Sequence, residues 1–143
     1  MKFSEQDRFE IWLMEMDDAI QRFIDVDAAA NASEFNFTSE SLSVIEKWLL
    51  DRYSDPNEIM RPEEARIHDA AARYIGQSFR QSLGGVWKID FSDAKNAFFG
   101  IPQIAGMRGQ KTQFCPYALV TSLLDRRKGN YLITIFNAMS SSA

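Results

Sequence analysis

Apolar residues recur at steps of three and four along the first 24 residues, which is the period of an amphipathic helix. These apolar positions are Phe9, Trp12, Leu13, Met16, Ile20, Phe23 and Ile24. Ser4 is a suitable cap because Asp7 lies three residues later, in the spacing of a capping box. The pattern predicts a first helix that begins near Ser4 and leaves its acidic side chains in solvent.

Two further helices are predicted before residue 84. The second follows a cap at Thr38 or Ser39, and its buried side comprises Leu42, Ile45, Trp48 and Leu49. The third runs from about Pro62 to Leu83, because proline suits a first helical turn. Its apolar residues recur every four positions, at Ile67, Ala71, Ile75, Phe79 and Leu83. Gly76 lies inside this helix at a cost of about 1 kcal/mol relative to alanine, which predicts the close approach of another backbone.

The segment RYIGQSFRQSLGGVWKIDF, residues 73–91, changes period at a pair of glycines. Gly84 stands where a residue with positive φ ends a helix, and Gly85 lets the chain reverse. After the pair, Trp87, Ile89 and Phe91 alternate with Val86, Lys88 and Asp90, which is the period of a strand. The junction therefore predicts a helix end followed directly by a first strand.

The remaining chain predicts a short sheet and one more helix. Residues 97–101 are predicted to form a second strand that pairs with residues 87–91 in a hairpin. A helix is expected from Pro116 to Arg127, since glycine follows a cationic last turn. Residues 131–139 fit either a strand or a helix, and the β-branched run at Ile133–Ile135 favours the strand. Residues 140–143 are expected to be a frayed tail.

These elements predict an α+β fold in which the N-terminal helices pack on one face of a small antiparallel sheet. The whole chain, 1–143, is expected to be a single domain, with a helical part at about 4–83 and a strand-rich part at about 86–139. The predicted core includes Trp12, Ile20, Trp48, Ile75, Phe79, Trp87 and Ile89.

Composition places the chain among ordinary globular proteins. It is 45% hydrophobic and 25% charged, and it contains 11 Phe, 4 Tyr and 3 Trp. The single cysteine, Cys115, excludes an internal disulfide and with it a cystine-stabilised secreted scaffold. No apolar run has the length of a membrane span, and the first residues show no apolar signal core. We expect a cytoplasmic protein that makes no membrane contact.

Charge is unevenly distributed along the chain. Residues 1–60 contain 5 Lys/Arg and 14 Asp/Glu, a net charge of −9, whereas residues 61–143 contain 11 and 6, a net charge of +5. The two halves either neutralise each other inside the fold or display a charged face to a partner. If a face is displayed, the first helix would carry it at Glu10, Asp17 and Asp18.

The sequence contains no strong catalytic signature. Glu64 and His68 share a helix face, but His68 is the single histidine and no further metal ligand is indicated, so an exposed histidine is the simpler interpretation. Cys115 is interpreted as a buried structural residue because no local base accompanies it. The glycines around Arg108 do not have the spacing of a phosphate-binding motif, and the net acidity argues against a nucleic-acid partner. No metal, cofactor or catalytic residue is predicted.

The chain is predicted either to be an interaction module with a charged face or to be a small enzyme or ligand-binding domain. In the second case it would bind an anionic metabolite in a cleft beside the helix–strand junction. Arg80 and Trp87 would flank this cleft, and Arg108 and Lys111 would lie on a closing loop. Such a protein needs a concave polar pocket, whereas an interaction module does not.

Two strings, YIGQSFRQSLGGVW at 74–87 and CPYALVTSLLDRRKG at 115–129, resemble the landmarks of small uncharacterised bacterial domains that place helices before a short sheet. These domains are similar in build to the immunity proteins encoded beside bacterial toxins. The resemblance implies a non-catalytic bacterial interaction module of the toxin-neutralising or regulatory kind, with a protein partner that the sequence does not identify. It supplies no catalytic residues, and the oligomeric state is left open.

Overall fold

The computed structural model describes residues 2–142 and shows a broadly α+β chain, mostly helical with a small antiparallel sheet. The elements in chain order are α1 Glu5–Met14, α2 Met16–Arg22, α3 Ser39–Arg52, α4 Pro56–Ile59, α5 Ala65–Leu83, β1 Val86–Lys88, β2 Gln103–Ala105, α6 Pro116–Arg126 and α7 Tyr131–Ser142. A π-helical turn at Phe23–Asp27 and 3-10 turns at Ala29–Glu34 and Pro62–Glu64 connect some of them.

The predicted first helix is divided into α1, α2 and the π-helical turn. Ser4 caps α1 as predicted: its hydroxyl accepts a hydrogen bond from Asp7 N at 3.0 Å, and the Asp7 carboxylate accepts one from Ser4 N. The division falls at Glu15, whose ψ of 2° departs from helical geometry. Backbone hydrogen bonds from Glu15 to Ile11 and from Ala19 to Glu15, both 3.0 Å, nevertheless continue across it. The two helices therefore follow one another with little change of face.

The next two helices begin close to the predicted positions. Thr38 is the N-cap residue of α3, although its hydroxyl bonds to Asn36 Oδ1 at 2.6 Å rather than to the helix. α5 begins at Ala65 because the preceding residues form a 3-10 turn with Pro62 in its first position. The predictions of both helices are confirmed within a few residues.

α5 lies at the centre of the packing, with eleven buried residues along its 19 positions. A network of polar groups joins it to α1 and α6. Asp69 accepts hydrogen bonds from Trp12 Nε1 at 2.8 Å and from the Tyr117 hydroxyl, and it forms an ion pair with Arg73 at 2.7 Å. Arg73 is 4% exposed, and it also donates to the backbone oxygen of Trp12 and lies 4.2 Å from the centroid of that ring. These bonds satisfy a buried guanidinium, which would otherwise be strongly destabilising.

Of the predicted core residues, Ile20, Ile75, Phe79 and Trp87 are buried. Trp12, Trp48 and Ile89 pack against the core from its edge and stay partly exposed. Trp12 lies at the edge because its indole N–H reaches the carboxylate of Asp69, a polar partner that a central position would not offer.

The helix–strand junction has the predicted form. Gly84 ends α5 with φ 78° and ψ −153°, a backbone conformation that is essentially restricted to glycine. Gly76 is explained by a side chain and not, as expected, by another backbone. The outer ring atoms of Trp87, Cζ2 and Cη2, occupy the position that a Cβ at residue 76 would take.

The predicted hairpin between residues 87–91 and 97–101 is wrong. β1 instead pairs with β2, and Trp87 lies opposite Ile104. Residues after β1 form consecutive turns, because the Asp90 carboxylate accepts hydrogen bonds from Ser92 N at 2.8 Å and from Asn96 Nδ2 at 2.9 Å. Such local side-chain bonds compete with strand pairing.

The predicted strand at 131–139 is also wrong, because these residues belong to α7, which continues through the expected tail to Ser142. The fully buried carboxylate of Glu46, on α3, accepts hydrogen bonds from Tyr131 N at 3.0 Å and Leu132 N at 2.9 Å. These bonds satisfy two N–H groups of the first helical turn and favour the helix.

The part predicted to be strand-rich, 86–139, thus contains two strands of three residues, all of α6 and most of α7. Residue 143 lies outside the described residues.

We expect Gly76→Ala to lower the free energy of unfolding by about 1–3 kcal/mol, because the new methyl group displaces the Trp87 ring. The substitution would otherwise gain about 1 kcal/mol of helix propensity, so a loss is diagnostic of the contact. Urea denaturation of the single variant and of Gly76→Ala in a Trp87→Phe background measures the coupling. Phenylalanine lacks the outer ring atoms, so the cost should shrink in that background. An equal cost in both backgrounds would contradict the packing described here.

Candidate functional site

The three carboxylates predicted to face a partner, on Glu10, Asp17 and Asp18, are all exposed. Within residues 2–142 none of them takes part in a hydrogen bond or an ion pair. The three carboxylates are therefore exposed and are not ion-paired with any side chain of the described residues. The basic residues that outnumber the acidic ones in the second half of the chain therefore form no ion pair with these three carboxylates.

Exposed apolar side chains lie among these carboxylates. Met14 is 82% exposed and Ile11 is 37% exposed. At about 3.6 residues per turn, Met14 lies near the middle of an arc of α1 and α2 that also contains the three carboxylates and Ile11. We call these five residues the acidic face. Sequence reasoning missed its apolar members, although both fall outside the buried stripe of the first helix, which was the available signal.

A cleft of about 520 Å³ lies beside the helix–strand junction. We call it the junction cleft. α2 contributes one wall, α5 and the glycine pair contribute the other, and Phe37 adds an aromatic ring. Its lining residues are Asp17, Ile20, Gln21, Phe37, Gln77, Arg80, Gln81, Gly84 and Gly85. Asp17 thus belongs both to the acidic face and to this cleft.

A smaller recess of about 390 Å³ adjoins the junction cleft and shares Asp17, Gln77 and Arg80 with it. Trp87 lines this recess together with Val86 of β1. The structure therefore brings Arg80 and Trp87 together beside the junction, where the ligand-binding hypothesis located them.

The other two residues of that hypothesis lie elsewhere. The Arg108 guanidinium donates to the backbone oxygen of Ser82, and its backbone N–H donates to Leu83 O at 2.9 Å. Arg108 thereby satisfies carbonyl groups at the C-terminal end of α5. Lys111 is exposed and lines neither the junction cleft nor the adjoining recess.

Arg80 is held by two hydrogen bonds. Its Nε donates to Gly85 O at 3.1 Å, and its Nη1 donates to Gln77 Oε1 at 2.6 Å. The same oxygen of Gln77 accepts a hydrogen bond from Trp87 Nε1 at 2.8 Å. No carboxylate oxygen of the described residues lies within 4.0 Å of the Arg80 guanidinium. The orientation of the guanidinium is therefore fixed while its charge has no anionic partner.

The remaining candidates from the sequence have structural roles. Cys115 is buried, its Sγ lies 3.7 Å from Pro102 O, and burial raises the pKa of its thiol, which lowers its reactivity. The prediction of an exposed His68 is wrong, because the side chain is partly buried and its Nε2 lies 3.1 Å from Tyr117 O. Glu64, the residue predicted to share a helix face with His68, forms an ion pair with Arg52 and accepts a hydrogen bond from the Tyr53 hydroxyl. No group of three His, Cys, Asp or Glu in the described part of the chain is arranged to hold a metal ion.

Within residues 2–142, none of the helices combines the length and the apolar character that crossing a bilayer requires. Comparisons with protein-family models, with curated proteins and with solved structures return no match. The resemblance to small bacterial domains therefore stays a prediction.

We expect the protein to lose stability as the pH falls through the usual pKa of histidine, about 6.5. Burial is the largest cause that lowers the pKa of His68, so the unfolded chain binds a proton in a range where the folded chain does not. The free energy of unfolding therefore decreases towards low pH. Urea denaturation at pH 7.5 and pH 5.5 measures the slope, and His68→Gln should flatten it. Identical slopes for the two proteins would show that His68 titrates alike in both states.

Proposed function

We propose that this chain is a non-catalytic bacterial protein-interaction module, of the toxin-neutralising or regulatory kind, that acts in the cytoplasm. The observation that carries the proposal is the acidic face, where unpaired carboxylates surround the exposed side chains of Met14 and Ile11. The single cysteine supports a location in a reducing compartment. The bacterial origin rests on the resemblance of residues 74–87 and 115–129.

The chemistry of this face suits a basic partner. Exposed apolar groups, methionine among them, are enriched at interfaces, where a few side chains supply most of the binding energy. Charges around them steer a partner of opposite sign and raise the association rate more than the affinity. Met14 would therefore act as the anchor, and Glu10, Asp17 and Asp18 would guide the approach.

The proposal includes the finer arrangement of the fold, with the N-terminal helices on one face of the sheet. Trp87 of β1 supports it, since one side of the ring contacts Gly76 of α5 and the ring meets Trp12 of α1 edge-on at 4.9 Å. The contact between Trp12 and Trp87 would hold α1 in place and keep the acidic face rigid, which limits the entropy lost on binding.

The partner can be captured with a photo-crosslinking amino acid in place of Met14. Met60 is a matched control, because it is also an exposed methionine, at 62%, and it follows α4 and is not one of the five residues of the acidic face. A protein crosslinked from position 14 and not from position 60 is then purified for binding kinetics. For the toxin-neutralising case, expression of that protein alone should arrest growth, and co-expression with this chain should restore it.

We expect Glu10→Lys with Asp18→Lys to slow association several-fold at low ionic strength, with a smaller effect at high salt. Met14→Ser should mainly speed dissociation. Surface plasmon resonance measures both rates. Glu63→Lys with Asp125→Lys makes the same change of charge at exposed positions outside the face and should leave both rates nearly unchanged. If the control pair and the acidic-face pair behave alike, the acidic face is a solvated helix surface and the proposal is wrong.

A further inference from the structure

The junction cleft contains an arginine whose binding geometry is already set. A guanidinium has five N–H groups. Nε and one N–H of Nη1 are engaged by Gly85 O and Gln77 Oε1, so three N–H groups, one on Nη1 and two on Nη2, are left for a ligand. These groups form the planar fork that matches a carboxylate in a bidentate pair.

Gln77 adds a second donor of defined orientation. Its Oε1 accepts from both Arg80 and Trp87, which identifies the oxygen of the amide and fills its two acceptor sites. The amide nitrogen, Nε2, has no hydrogen-bond partner among the described residues, and Gln77 lines the cleft. Because the groups still available on Arg80 and Gln77 are all donors, they favour a ligand atom that only accepts, such as the oxygen of an anion.

Asp17 decides which kind of anion fits. Asp17 lies on the α2 wall of the same cleft, and its carboxylate is not ion-paired. A dianion such as phosphate would be repelled by this second negative charge. A carboxylate carried by a molecule that also bears a cationic nitrogen satisfies both walls, with the nitrogen towards Asp17.

We propose that the junction cleft binds a zwitterionic ligand whose carboxylate pairs with Arg80 and Gln77 and whose cationic nitrogen pairs with Asp17. This chemistry occurs in a free α-amino acid and at the C-terminus of a peptide with a basic residue. The cleft, at about 520 Å³, lies in the range of small-ligand sites, and Ile20 and Phe37 supply an apolar wall. Asp17 is shared with the acidic face, but the test of the acidic face leaves Asp17 unchanged, so either proposal can fail without the other.

The site is tested by NMR titration of the full chain labelled with ¹⁵N, observed at Arg80 Nε, Gln77 Nε2 and Trp87 Nε1. The probes are lysine, the tripeptide Gly-Gly-Lys, its C-terminal amide, and inorganic phosphate. We expect saturable shifts at these three groups with lysine or Gly-Gly-Lys, and binding at least about tenfold weaker for the amide. Comparable affinities for lysine and the tripeptide indicate a free amino acid, and tighter binding of the tripeptide indicates a peptide terminus.

Variants separate the two walls. Arg80→Lys keeps the charge but loses the fork, and it should weaken Gly-Gly-Lys by about tenfold. Asp17→Asn should weaken Gly-Gly-Lys several-fold but leave Gly-Gly-Ala nearly unchanged, since the alanine side chain carries no charge with which the Asp17 carboxylate could pair. Arg126→Gln removes an exposed guanidinium elsewhere and should have no effect. The proposal is overturned if neither lysine nor Gly-Gly-Lys gives saturable shifts at millimolar concentration, if the amide or phosphate binds as tightly as the free acid, or if Arg80→Lys binds like the wild type.

Discussion

The packing of the Trp87 ring against Gly76 is the contact on which the rest of the candidate site depends. A side chain of any size at position 76 would overlap the outer ring atoms, so β1 can approach α5 this closely only because residue 76 is glycine. The approach brings Trp87 Nε1 within 2.8 Å of Gln77 Oε1, and this oxygen also holds Arg80. The ring meets Trp12 edge-on as well, which joins α1 to the same assembly. The steric requirement for glycine at position 76 thus determines how the charged side chain of Arg80 is oriented.

Two further hydrogen-bonded carboxylates support this arrangement: the partly exposed Asp69, on the same face of α5 as Gly76, and the buried Glu46 on α3. Asp69 and Arg73 hold Trp12 through its indole N–H and its backbone oxygen, so the edge-on contact with Trp87 has a fixed partner. Glu46 orders the start of α7, and the Phe136 ring of α7 packs against Phe79 of α5 at 5.4 Å. Arg73 and Glu46 are buried charged groups, which are strongly destabilising unless they are hydrogen-bonded, and both are hydrogen-bonded here.

Local signals allowed much of the helical half to be predicted, whereas distant partners decided what was missed. The Ser4–Asp7 capping box, the four-residue spacing of α5 and the glycine at its end are all readable within a few positions. The helix at 131–142 was missed because its first turn is capped by Glu46, 85 residues away in sequence. The second strand was misplaced because the Asp90 carboxylate folds the following residues into turns. The cleft was expected beside the junction, but its opposite wall, with Asp17, depends on how α2 packs on α5, which no local pattern encodes.

The most direct test of this account is the motion of the Arg80 side chain in Trp87→Phe, measured by ¹⁵N relaxation at Arg80 Nε. Phenylalanine retains an aromatic ring but cannot donate to Gln77, so the account predicts a lower order parameter at Arg80 Nε. Backbone order in α5 should be unchanged. Trp48→Phe, a substitution of a partly buried tryptophan away from the cleft, should leave Arg80 as rigid as in the wild type. Equal rigidity of Arg80 in all three proteins would contradict the claim that the Trp87 contact orients it.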